Sequence, residues 1–189
     1  MNRVVFVKTT PKFTKTEYKT LMKIENELEK EMLKQIDIIC GCAGIVLYEN
    51  WGWRKERISK LYMEICNVWE KKTSEESVLG ICEQETGIVI DIPEYEGNYQ
   101  DLKFFQGDSR IEDLEPKQRI YMRQRQKRWM GVEILATLLV ALHRTYGFGS
   151  GRISKVYSQI VEVRDRYNWD SKLIDSECNR ITGVGFAVR

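Results

Sequence analysis

The sequence predicts an α+β fold, mainly helical, built from two copies of one unit: short strand, long helix, helix, short helix, short strand. Three observations predict it. The stretch WGWRKERISKLY at Trp51 returns, altered, as YGFGSGRISKVY at Tyr146. Each copy opens a segment in which apolar residues recur at i, i+3, i+4 and i+7, the period of an amphipathic helix. Short β-branched runs stand at the edges of the units, where strands are expected.

Placing Gly147 on Gly52 sets an offset of 95 residues, and eight of the twenty positions that follow Trp51 and Tyr146 are then identical. Among them are Gly52/Gly147, Arg57/Arg152, Ile58/Ile153, Ser59/Ser154, Lys60/Lys155 and Tyr62/Tyr157. Trp51/Tyr146 and Trp53/Phe148 keep an aromatic ring. Further on, CEQETGIVI at Cys82 meets CNRITGVGF at Cys178 with a shift of one. Such self-similarity at a fixed spacing marks an internal repeat. The first unit is read as residues 1–92, an acidic linker as 93–114, and the second unit as 115–189, with 102–106 as a candidate for its first strand.

The first unit opens with Arg3 to Val7 as a strand. Thr14 and Thr16 offer N-caps for a long helix from about Lys15 to Glu49. Gly52 ends it, because glycine takes the left-handed conformation without a steric penalty. Ile58, Leu61, Tyr62, Ile65 and Val68 form the buried stripe of the next helix. Ser74 caps a short third helix, and TGIVIDI is a closing strand. In the second unit Leu102 to Gln106 is the strand, and Pro116 suits the first turn of the long helix. Ile153, Val156, Tyr157, Ile160 and Val163 make the stripe, Asp170 caps the short helix, and GVGFAV closes as a strand.

Apolar residues make up 42% of the chain, enough for a core, and the net charge of +2 favours no class of partner by itself. No secretory leader is visible at the N-terminus and no apolar run is long enough to span a bilayer, so a cytoplasmic location in a host cell and no membrane partner are expected. Five cysteines in a reducing compartment predict buried thiols rather than disulfides. Cys40 and Cys42, two apart on a helix, face different ways, and one histidine cannot complete a zinc set. No metal and no cofactor are expected. His143 is the sole histidine and stands where the first unit has Tyr48, which predicts a packing role at a helix end. GFGSG lacks the strand before it and the Lys-Ser/Thr pair after it that a phosphate loop needs, so it reads as a helix-to-helix turn. These observations together argue against an enzyme.

Two sets of cations are candidate contacts. The segment Lys117–Arg128 has six basic residues and no acid. It supplies Arg119, Arg123, Arg125, Lys127 and Arg128, and three of these recur every four residues on one helical face. The first unit has Ile24, Leu28 and Met32 there, an apolar stripe expected to be buried within the chain or in a homodimer. Arg57, Lys60, Arg152 and Lys155 form the second set. They lie on the polar face of helices that follow a glycine turn, as in a helix-turn-helix DNA reader. Four residues before each turn glycine stand Tyr48 and His143, where that motif carries a small residue.

LHRTYGFGSGRISKVY resembles small phage and prophage proteins of Firmicutes with an LHxxFGFGxxRLxxF-like signature, carried here by Leu142, His143, Tyr146, Gly147, Phe148, Gly149, Arg152, Ile153 and Tyr157. The first unit keeps Leu47, Trp51, Gly52, Trp53, Arg57, Ile58 and Tyr62 of it. The resemblance implies a mobile-element setting and no particular reaction. The leading expectation is a non-enzymatic inhibitor of a host nucleic-acid-dependent defence complex, a protein or ribonucleoprotein, as an anti-CRISPR protein would be. The alternative is a DNA-binding regulator with two reading heads.

Overall fold

The computed structural model describes residues 14–70, 78–90 and 116–185, apart from the side chains of residue 70 and of residues 116–119, 121–123, 125, 126 and 128. These residues form six helices: α1 Lys15–Trp51, α2 Lys55–Glu70, α3 Val78–Thr86, α4 Pro116–Tyr146, α5 Ser150–Arg166 and α6 Ser171–Thr182.

Local chemistry sets the helix ends. Thr14 accepts from the Glu17 amide at 3.2 Å while the Glu17 carboxylate accepts from the Thr14 amide at 2.8 Å, a reciprocal cap on α1. Gly52 and Gly147 take φ of 65° and 62°, values that favour glycine, and turn the chain out of both long helices. Asp170 caps α6 by accepting from the amides of Lys172 and Leu173. The stripes are buried as their period requires: Ile58, Leu61 and Ile65 in α2, and Ile153, Val156, Ile160 and Val163 in α5.

α1 and α4 are the central pair. Glu31 meets Lys127, Gln35 abuts Gly131, and Trp51 meets Phe148, partners 96, 96 and 97 positions apart. A constant spacing along both helices means they run parallel and in register. The short helices cross over. α5 and α6 of the second unit pack on α1, while α2 and α3 of the first unit pack on α4. Each long helix packs only lightly against the helix that follows it, and on α1 this includes Tyr62 of α2 donating to the Cys40 carbonyl at 2.9 Å.

All described secondary structure is helical, which corrects the expected α+β class. The expected first strands, Arg3–Val7 and Leu102–Gln106, fall outside the described residues, as do Ser74 and the acidic linker. The described parts of the closing strands, Gly87–Ile90 and Gly183–Gly185, are irregular. The reason is local. Gly87 and Gly183 adopt φ of 70° and 71°, and the hydroxyls of Thr86 and Thr182 accept from the amides of Ile88 and Val184 at 3.2 and 3.0 Å. Those amides are spent on a helix cap, and Ile90 plugs the helical core instead of joining a ladder.

Three smaller expectations change too. Cys66 is exposed, whereas Cys40, Cys42, Cys82 and Cys178 are buried. The stripe Ile24, Leu28, Met32 is not uniformly buried: Ile24 is exposed, Leu28 half-buried and Met32 buried, following the depth of α1 in the bundle. No described helix is long and apolar enough to cross a membrane.

Candidate functional site: a composite cationic apex

Because α1 and α4 run parallel, both glycine turns arrive at one end of the bundle. Their rings interlock. Trp51 lies 5.0 Å from Phe148, Trp53 lies 4.6 Å from Tyr146, and Trp53 lies 5.9 Å from Phe148, centroid to centroid. Trp51 corresponds to Tyr146 and Trp53 to Phe148. Exchanging the units therefore turns the first pair into the second and the third into itself. That is the signature of an approximate twofold axis passing between Trp53 and Phe148.

Three cations of the second candidate set, Arg57, Arg152 and Lys155, stand on this knot. The Arg57 guanidinium lies 4.1 Å above the Trp53 ring and 5.1 Å from Tyr146. Its counterpart Arg152 lies 4.8 Å above Phe148 and donates to the Gly147 carbonyl at 2.6 Å. Lys155 reaches to 6.0 Å from Trp51, and Arg54 covers Tyr48 at 5.0 Å. Arg54, Lys55, Arg57, Lys60, Arg152 and Lys155 are all exposed, with Glu56 the exposed acid in the first turn of α2. A guanidinium over a buried ring keeps its charge at the surface while its position is fixed, at roughly 0.5–1 kcal/mol per contact.

Hydrogen bonds tie the apex across the units. Tyr146 donates to the Arg57 carbonyl at 3.3 Å, and Trp51 Nε1 donates to Gln159 at 3.1 Å. Arg144 on α4 pairs with Glu85 on α3, and the guanidinium holds that carboxyl below its ordinary range. His143 Nδ1 lies 2.9 Å from the Phe148 carbonyl. A carbonyl can only accept, so this nitrogen carries a proton, and the ring closes the turn from inside.

The basic segment of α4 divides differently. Lys127 forms an ion pair with Glu31 of α1, whose carboxyl the ammonium holds below its ordinary range. The side chains of Arg119, Arg123, Arg125 and Arg128 lie outside the described residues. The one described cation of this set is thus already matched within the chain.

The buried thiols are poor nucleophiles. Burial pushes Cys40 and Cys42 up to about 12 and Cys178 up to about 11. Among the described residues no group of three or more His, Cys, Asp or Glu side chains is placed to hold a metal ion. Comparison with known proteins finds no matching family model, no matching curated protein and no matching solved structure.

Sequence reasoning picked out Arg57, Lys60, Arg152 and Lys155 but missed the rings beneath Arg57, Arg152 and Lys155. The signal was present: aromatic positions flank the shared glycine in both units, six and four residues before a shared arginine.

Proposed function

We propose that the protein is a non-enzymatic binding protein whose apex engages an anionic partner. Within that class, its partner is a host nucleic-acid-dependent defence complex, blocked in the manner of an anti-CRISPR inhibitor. One observation carries the reading. Two copies of an exposed arginine–lysine pair, Arg57/Lys60 and Arg152/Lys155, are brought to one end of the bundle, and both guanidiniums are held over rings. Fixed cations suit phosphates or clustered carboxylates, because little side-chain entropy remains to be lost on binding. With Lys127 paired internally, the weight among candidate contacts shifts from α4 to the apex.

The test is binding and nuclease inhibition with purified CRISPR effector ribonucleoproteins, comparing the natural chain with a double Arg57→Glu, Arg152→Glu variant. The expected result is inhibition by the natural chain and at least a tenfold weaker effect from the variant, with helical circular dichroism unchanged. A natural chain that neither binds nor inhibits any such complex contradicts the proposal.

A tandem helix-turn-helix regulator is the second reading, favoured by the same exposed residues at the starts of α2 and α5. Two features count against it. Paired recognition helices sit about 34 Å apart, one turn of duplex, whereas here the turns that lead into α2 and α5 touch at the axis. In addition, α2 packs mainly on α4 and only lightly against the helix before it. A sequence-specific duplex complex in a shift assay would restore this reading.

A further inference from the structure

We infer that neither unit is a fold by itself: the chain is an interlocked dimer of two half-sized subunits fused into one polypeptide, and the apex is a site that neither half can form alone. The packing carries this. α6 of the second unit lies so close to α1 that a Cβ on Gly41 would come 2.5 Å from Ile174 Cγ2, and one on Gly44 2.6 Å from Cys178 Sγ. On the other side α2 and α3 seat on α4. The ion pairs Glu85–Arg144 and Glu49–Arg166 both cross between units. Removing either half would strip the other long helix of the two helices that cover it, and would expose Ile45, Val46 and Leu47 or Leu138, Leu139 and Leu142, all buried now. Exchanging equivalent elements between protomers is a low-cost route to a dimer. Here the exchanged elements belong to one chain.

Fusion has a functional consequence. The two halves meet at the high effective concentration of a tether, so the composite apex does not depend on protein concentration. Each half is also free to diverge, as Arg54–Glu56 and Gly149–Gly151 have done. The inference concerns assembly and stands whether or not the apex proves to bind an anion.

The test places a protease site in the full chain within residues 91–115 and cuts it after folding. The two pieces are expected to elute together at the size of the uncut chain and to melt in one transition. Its melting temperature should now fall by about 3 °C for each tenfold dilution, while that of the uncut chain does not move. If the site resists cleavage, the same break is made genetically, with both halves expressed together and a tag on one. Halves that separate, each keeping its helical content and its own melting transition, overturn the inference.

Discussion

The shoulder where α6 lies on α1 and the shoulder where α3 lies on α4 are made of equivalent positions packed in opposite ways. On α1 the seat is small: Gly41 and Gly44 admit Ile174 and Cys178 to close approach. At the corresponding positions α4 has Ala136 and Leu139, both fully buried, and α3 offers Val78 where α6 has Ile174. Bulk has moved from the seat to the seated helix on one side only. Cores tolerate such exchanges when volume is conserved. Two fused halves can trade volume independently, which separate copies of one sequence cannot do.

Alanine at one pair of equivalent positions should break both shoulders for opposite reasons. Leu139→Ala leaves a cavity and is expected to lower unfolding free energy by about 3 kcal/mol, read from urea titration. Gly44→Ala forces a methyl against Cys178 and Tyr62 and is expected to cost about 2 kcal/mol, although alanine is the better helix former. A stabilised Gly44→Ala protein would mean that the close approach does not exist.

The closing caps, by contrast, should behave alike. Thr86 and Thr182 each donate to the carbonyl four residues back, at 2.6 and 2.7 Å, and accept from an amide two residues on. Thr86→Ala and Thr182→Ala each leave a half-buried amide without its acceptor and remove a buried hydroxyl's bond to the helix, so each is expected to cost about 1.5 kcal/mol in the same titration. Unequal losses would show that the halves have drifted further than their geometry suggests.

pH separates the units again. Burial, aided by the charge of Asp175, raises Asp37 from 3.8 to about 6, and the second unit has Val132 at this place. A raised carboxyl favours the protonated fold, so its contribution is complete below about pH 4 and lost as pH rises through 6. Because the group is only half-buried, solvent screening leaves about 1 kcal/mol of this dependence. Asp37→Asn should flatten the stability profile between pH 4 and 6, and Val132→Ala should leave its shape intact. The smallest effect on stability belongs to the apex. Arg57→Ala and Arg152→Ala should each cost about 0.5 kcal/mol, a loss of cation–π contact seen as a shift in melting temperature.

Much of this architecture was legible in the sequence. Thr14 with Glu17, Gly52, Gly147 and Asp170 mark helix ends by local chemistry, and the stripes Ile58–Val68 and Ile153–Val163 name the buried faces. A period identifies a face but not its partner, so nothing in the chain announced that α2 seats on α4 and α5 on α1. The closing strands misled because β-branched residues such as Ile88 and Ile90 suit a ladder and a helical core alike. Only the cap formed by Thr86 and Gly87 decides between them. Likewise the charge of Lys127 was plain, but its neutralisation by Glu31 depends on a register that sequence spacing alone does not set.

The crossing of units is tested most directly by a double-mutant cycle between Gly44 on α1 and Cys178 on α6. Cys178→Ala removes the sulfur that a Gly44→Ala methyl would meet at 2.6 Å. The double variant should therefore be more stable than the sum of the single losses predicts, by about 1 kcal/mol. Additive losses would place the two residues apart and contradict the interlocked fold.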